Sequence, residues 1–279
     1  MTEPSALKFF PNSKMLLASP PRWWWGLLVL WVLAMIAIPI LIWTYGESIL
    51  PIASSFTTLL LAGLSGSLLV QQWGIKVALP RLAGILVFSW AIEWLGATHA
   101  FPFGNYHYTA ALQPQLLGVP LLIPFAWLML LPSAWAIAAS IDGKWHGARF
   151  ALLSGIALTA WDLFLDPQMV KWGFWQWEHF GWYFGIPLQN FAGWVATVTV
   201  FSFLLRPPAL PLFPLIVIYA VTWFLQSVGL IFFFDLRAPG LVGAGAMGLL
   251  LAVAIYRLRA NHSHLLQTRT VEQSKILQE

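Results

Sequence analysis

The sequence predicts an all-α protein, a polytopic helical membrane bundle with about eight transmembrane helices. Of the 279 residues, 59% are hydrophobic and only 9% are charged. Continuous apolar runs near the length of about 20 residues that crosses a bilayer recur at short intervals. Transmembrane β-strands would instead show short segments of alternating polarity. We interpret residues 1–260 as a single helical membrane domain and residues 261–279 as a polar C-terminal tail.

The predicted spans follow one another with short connections. The first comes after Lys8, Lys14 and Arg22. It is too long for the apolar core of a signal peptide, so we interpret it as an uncleaved span. The third is the shortest and contains an acid, Glu93. The eight predicted spans are residues 23–43, 49–70, 82–95, 116–141, 148–165, 184–205, 210–234 and 240–256.

Basic residues give this bundle a predicted sidedness. With the N-terminus inside, all of the 14 lysines and arginines except Lys171 and Arg237 fall in cytoplasmic segments. This segregation follows the positive-inside rule. We therefore predict that both termini are cytoplasmic and that Glu93, Asp162 and Asp166 lie near the outer face. The expected location is a prokaryotic cytoplasmic or thylakoid membrane, which the protein crosses several times.

Composition excludes several classes of function. The chain has no cysteine, which removes thiol catalysis, iron–sulfur clusters and disulfides. The net charge of +4 comes from basic residues that are scattered singly. Such residues are typical of loops that face anionic lipid, so we predict no nucleic-acid partner. The outer-face histidines His99, His107 and His179 are too few and too dispersed for a di-iron site, and we interpret His262 and His264 in the tail as solvated.

Two carboxylates stand out at the end of the fifth span. Asp162 and Asp166 are one helical turn apart and therefore share a face. Pro167 disfavours helical geometry at Asp166, so we predict that the helix ends there. Two carboxylates this close in a medium of low dielectric constant cannot both ionise easily, and a retained proton suits a general acid. Asp162 lies deeper, so we predict that it is the proton donor. The alternative is that both acids merely cap loops or pair with Lys171 and Arg237 at the interface.

A third acid and a set of aromatic residues complete the candidates. Glu93 is interpreted as a base, as a partner that keeps one aspartate protonated, or as a hydrogen-bond anchor for the outer loop. Tryptophan is unusually abundant, with 18 residues. Interfacial belts account for many of them, but an aromatic lining would also suit a long apolar substrate and a carbocation. The tryptophans grouped around Asp162 and Asp166 are Trp161, Trp172, Trp175, Trp177, Trp182 and Trp194.

Five ordered segments between about Glu93 and Trp194 resemble the motifs of a known family. They are EWLG at 93–96, FPFGNYHYT at 101–109, GVPLLIP at 118–124, WDLFLDPQM at 161–169 and GIPLQNFAGW at 185–194. They are similar to those of the integral-membrane carotenoid biosynthesis proteins, which include the carotenoid 1′,2′-hydratases and the bacterioruberin-pathway hydratases.

The resemblance implies a hydro-lyase. Its expected reaction adds water across the terminal 1′,2′ double bond of an open carotenoid end, such as that of γ-carotene or lycopene, and gives a tertiary alcohol without a cofactor or a metal. The expected catalytic residues are Asp162, Asp166 and Glu93. The expected substrate-binding residues are Asn105, Tyr106, His107, Tyr108, Trp161, Gln168, Trp175, Trp177, Asn190 and Trp194. The expected partners are the apolar carotenoid, water and membrane lipid, with other enzymes of the pathway as candidates.

Other functions remain as alternatives. An intramembrane prenyltransferase also carries an Asp-x-x-x-Asp motif, but diphosphate binding needs a second acidic motif and several basic residues. Only Lys171 and Arg237 are on the predicted side of the acids. A transporter or channel would use the intramembrane acids as proton or cation sites. A non-catalytic membrane protein that organises carotenoids or their complexes is the remaining class.

Overall fold

The computed structural model describes residues 20–276, with side chains placed as far as Ala260. Within this range, eight helices are long and apolar enough to cross a membrane, which confirms the predicted helical bundle. They are α1 (Arg22–Tyr45), α2 (Leu50–Trp73), α3 (Ile75–His99), α4 (Leu122–Asp142), α5 (Ala148–Lys171), α6 (Leu188–Leu205), α7 (Leu212–Val228) and α8 (Arg237–Ile276). A 3₁₀ turn, Glu47–Ile49, precedes α2, and a π-helical turn, Gly229–Phe233, extends α7.

The sidedness of the bundle stays a prediction. Lys8 and Lys14 lie outside the described residues, as do the side chains of His262 and His264. The backbone of α8 continues as a helix through most of the predicted tail.

Three predicted span boundaries were wrong. Helix α3 begins already at Ile75 and includes Pro80, so the third span is not short. Residues assigned to the start of the fourth span form a small hairpin of β2 (Gln115–Leu116) and β3 (Val119–Pro120). Its two turn residues, Leu117 and Gly118, both have positive φ, which is the geometry of a type I′ turn.

The third error concerns Pro167, where α5 does not end. The helix passes through it and continues to Lys171. Proline has no N–H, so the carbonyl of Leu163, four residues earlier, loses its helical partner. The Tyr183 hydroxyl donates to that carbonyl at 2.9 Å. A side chain from the following loop therefore restores the missing hydrogen bond, and Asp166 is held inside the helix.

Helix α4 is the centre of the bundle. It is buried on all sides and contacts α2, α3, α5, α7 and α8. A helix that is apolar around its whole circumference belongs in such a position. The other helices surround it, and α1 packs against α2 and α7. The candidate residues of α3, α5 and α6 consequently face a common interior.

Small residues bring α5 and α6 into close contact. A Cβ atom on Gly155 of α5 would lie 2.6 Å from the carbonyl oxygen of Val195 on α6. A Cβ atom on Gly193 of α6 would lie 2.7 Å from the carbonyl oxygen of Pro102, in the loop after α3. Both distances are shorter than a carbon–oxygen contact allows. This approach places the first turn of α6, which carries Asn190, directly against the acidic end of α5.

Replacing Gly155 with alanine is therefore expected to destabilise the bundle. Overpacking typically lowers the free energy of unfolding by about 1–3 kcal/mol. Gly63 on α2 is the matched control, because a Cβ atom there would meet nothing within 4 Å. Gly63→Ala should be neutral or slightly stabilising, since alanine is the better helix former. Thermal unfolding in detergent, followed by circular dichroism, compares the two variants, and equal melting temperatures would contradict the close packing.

Candidate active site

A cavity of about 470 Å³ lies inside the bundle. This volume falls within the range of about 300–1,000 Å³ that is usual for small-molecule sites. Most of its wall is aliphatic or aromatic. Among the described residues, Glu93 and Asp166 are the only acidic ones that line it, and no lysine, arginine or histidine does. The two acids come from different helices, α3 and α5.

Glu93 is surrounded by hydrogen-bond donors. Its Oε2 accepts hydrogen bonds from the hydroxyls of Tyr106 at 2.7 Å and Tyr108 at 2.8 Å, and its Oε1 accepts one from Trp127 Nε1 at 3.1 Å. The side chain is only 3% exposed. A carboxylate accepts hydrogen bonds and donates none. Three donors around a buried acid therefore stabilise its ionised form.

The two tyrosines remain donors at all physiological pH values. Burial, followed by the charge of Glu93, raises the pKa of the Tyr106 phenol well above its ordinary value. The same two causes raise the pKa of Tyr108. A phenol with a raised pKa keeps its proton, so neither tyrosine becomes a second negative charge beside Glu93.

Asp162 and Asp166 form a pair bridged by one amide. Asn190 Nδ2 donates to Asp162 Oδ2 at 3.0 Å and also to Asp166 Oδ2. Trp175 Nε1 donates to Asp166 Oδ1 at 3.1 Å. Only Asp166 lines the cavity, whereas Asp162 is fully buried and its Oδ1 has no hydrogen-bond partner among the described residues. Two carboxylates that share a donor in a buried site repel each other, which favours one retained proton for the pair.

A two-stranded ladder joins the two acidic centres. Strand β1 (Tyr106–Tyr108) pairs antiparallel with β4 (Trp175–Trp177), so that Tyr108 is opposite Trp175. Alternate side chains of a strand point to the same face. Tyr106, Tyr108, Trp175 and Trp177 accordingly line the cavity, whereas His107, between the two tyrosines, is exposed. The donors to Glu93 and a donor to Asp166 are thus neighbours across one ladder.

Comparison with known proteins identifies the family of this chain. The family model described as "carotenoid biosynthesis protein" matches residues 27–254. The chain belongs to this family. It is 34% identical over 122 residues to the bisanhydrobacterioruberin hydratase of Haloarcula japonica, a match that covers 43% of this chain and 41% of that protein. The aligned part is therefore less than half of either protein. No solved structure matches the chain.

Most of the substrate-binding residues expected from the family resemblance line the cavity. Asn105 and His107 are the exceptions, since both are exposed. The Asn105 side chain donates to Glu178 instead. The expected residues that line the cavity are Tyr106, Tyr108, Trp161, Gln168, Trp175, Trp177, Asn190 and Trp194.

One alternative was that the two aspartates pair with basic residues. Lys171 does not pair with either of them. Its Nζ donates to the carbonyl of Phe234 at 2.7 Å and lies 3.4 Å from Asp235.

Of the tryptophans grouped around the aspartates, Trp172 also lines the cavity. Trp182 does not line it and is 95% exposed.

One residue that contacts an acid of the site, Trp127, was not predicted from the sequence. Trp127 on α4 is the third donor to Glu93, and its ring stacks on that of Trp194 with centroids 4.7 Å apart. No local pattern indicates this contact, because Trp127 and Glu93 are 34 residues apart and on different helices. The aromatic–polar–aromatic triplets of β1 and β4 did carry a signal, since a period of two indicates strands.

Proposed function

We propose that this chain is a carotenoid hydratase, which adds water to the terminal double bond of an open carotenoid end and gives a tertiary alcohol. The observation that carries the proposal is the pair of acidic centres, at Glu93 and Asp166, on the wall of one apolar, tryptophan-rich cavity. Membership of the carotenoid biosynthesis family and the similarity to a hydratase support it. The proposed site of hydration is the 1′,2′ double bond of an open-ended carotenoid such as γ-carotene or lycopene.

The first step is protonation of the less substituted carbon of the double bond. Asp162 was favoured for this role because it lies deeper in the helix, but Asp166 is the member of the pair that faces the cavity. We therefore assign the proton transfer to Asp166. Its O–H bond breaks as the π electrons form the new C–H bond, and Asp162 shares the remaining charge through Asn190.

Protonation gives a tertiary carbocation, and the second requirement is an aromatic wall that stabilises it. The indole faces of Trp127, Trp161 and Trp194 belong to the cavity wall. A desolvated cation over such a face gains about 2 kcal/mol from the ring quadrupole. The wall presents no basic side chain among the described residues, so nothing there repels the cation or competes with water as a nitrogen nucleophile.

The third step is attack by water, with Glu93 as the base. Trp177 Nε1, Trp161 Nε1 and Gln168 Oε1 line the cavity and have no hydrogen-bond partner among the described residues. A buried water needs polar partners of this kind. Glu93 accepts the proton as the C–O bond forms. Return of that proton to the aspartate pair closes the cycle, and the net reaction consumes one water molecule for each double bond.

Co-expression with the enzymes of lycopene or γ-carotene synthesis tests the proposed function. Mass spectrometry of the extracted pigments should show a gain of one water mass at an open end. An unchanged pigment pool, with the protein present in the membrane, would reject the hydratase.

Activity is also expected to be independent of metal ions. Proton transfer and water addition use only side chains of this chain, and no group of three or more metal-ligating residues occurs in the part that the structure describes. Purified protein treated with a strong chelator should retain its hydration rate. Loss of activity that Mg²⁺ restores would favour the prenyltransferase-like alternative instead.

A further inference from the structure

The cavity opens sideways on the apolar perimeter of the bundle, between α1 and α7. Five lining side chains are also between 45% and 70% exposed on the outside, and all of them are on α1, on α7 or on its π-helical turn. They are Ile36, Ile40, Trp43, Phe224 and Phe233. Side chains that line the cavity and also reach the outer surface mark the rim of an opening. Because both helices have the length and composition of membrane spans, this opening faces lipid.

The rim is apolar and regular. Ile36, Ile40 and Trp43 are spaced as i, i+4 and i+7, which places them on one face of α1. The rings of Trp43 and Phe233 meet across the gap, with centroids 6.0 Å apart, and close one end of it. Phe224 precedes Phe233 on α7 at about the distance that separates Ile36 from Trp43 on α1. It therefore borders the open part of the rim, away from the contact of Trp43 with Phe233.

The acids lie on other helices than the rim. Glu93 is on α3 and Asp166 is on α5, whereas the opening is bounded by α1 and α7. A ligand that reaches both places has to be long and apolar, with its reactive end foremost. A polyene chain meets this requirement and does not leave the bilayer, because transfer of its apolar surface to water is unfavourable.

We propose that this opening is the binding site for the isoprenoid chain of the substrate, which enters from the lipid and stays between α1 and α7 while its end reacts. The inference rests on the proposed function. It assigns Ile36, Ile40 and Phe224 a role in binding that the catalytic steps do not need. It also commits the opening to one occupant, a long isoprenoid chain rather than a lipid acyl chain.

Ile40→Trp tests this role by filling the opening. Overpacking of this kind should lower kcat/KM for an acyclic carotenoid by about tenfold or more. Leu33→Trp is the matched control, since Leu33 is 57% exposed on the same helix and does not line the cavity. It should leave kcat/KM unchanged. Size-exclusion chromatography in detergent verifies that both variants fold.

A second measurement does not depend on overpacking. The photoreactive amino acid p-benzoylphenylalanine replaces Phe224 in one variant and Phe232 in another; Phe232 is 73% exposed and lies outside the cavity wall. Illumination with bound carotenoid should attach the pigment at position 224 and not at 232. If the parent protein hydrates the carotenoid, but Ile40→Trp matches Leu33→Trp and position 224 captures no more pigment than 232, the opening is not the chain-binding site. A parent protein without hydration activity would instead reject the proposed function.

Discussion

Replacement of Asp166 with asparagine is expected to abolish measurable hydration. Loss of a catalytic proton donor typically lowers the rate by about 10²–10⁴-fold. Asparagine has nearly the same shape and can still accept the hydrogen bond from Trp175, so the bundle should remain folded. What it lacks is the carboxyl proton at the cavity wall. The measurement is the rate of product formation by purified protein in detergent or liposomes.

Asp162→Asn is the informative companion variant. The pair shares Asn190, but only Asp166 lines the cavity. Asp162→Asn should therefore retain part of the activity, because a carboxyl group still faces the substrate. Severe loss in Asp162→Asn with near-normal turnover in Asp166→Asn would return the donor role to Asp162, as depth in the helix alone suggested. Full activity in both variants would leave the pair with a structural role.

Glu93→Gln is expected to have an effect of similar size. The change keeps the volume of the side chain and removes the charge that Tyr106, Tyr108 and Trp127 stabilise. Without a base to accept its proton, water attacks the carbocation more slowly. A loss of about 10²–10⁴-fold in rate is again expected. Product formation per mole of folded protein is the measurement.

Glu178→Gln is the control for Glu93. Glu178 is an exposed acid next to β4, accepts a hydrogen bond from Asn105, and does not line the cavity. Its variant should hydrate carotenoids as fast as the parent protein. If Glu93→Gln also kept full activity, the three donors around Glu93 would serve only to hold the β1 segment and helix α4 against α3, and another group would have to act as the base.

The sequence predicted the bundle and the shared helix face of Asp162 and Asp166 because both depend on local sequence. Long apolar runs indicate membrane spans, and the spacing of Asp162 and Asp166 places them on one face of a helix. The continuation of α5 through Pro167 was not predictable in this way. The hydrogen bond that replaces the one lost at the proline comes from Tyr183, in the loop after the helix. The local rule at proline is correct, and a tertiary contact overrides it.

The hydrogen-bond partners of each acid were also not predictable from the sequence. Trp127 reaches Glu93 from α4, and Asn190 reaches both aspartates from α6. Depth along a helix favoured Asp162 as the proton donor, whereas only Asp166 lines the cavity and is therefore the proposed donor. Packing of several helices determines which acid faces the cavity, and no spacing within one helix contains that information.

Hydration in water labelled with heavy oxygen tests the central proposal most directly. Purified protein in liposomes that contain an acyclic carotenoid would be incubated in labelled water with a chelator present, and the pigment would be analysed by mass spectrometry. The account predicts one labelled oxygen at each reacted end in the parent protein and none in Asp166→Asn. Unlabelled pigment from the parent protein, or equal labelling in the parent protein and Asp166→Asn, would contradict it.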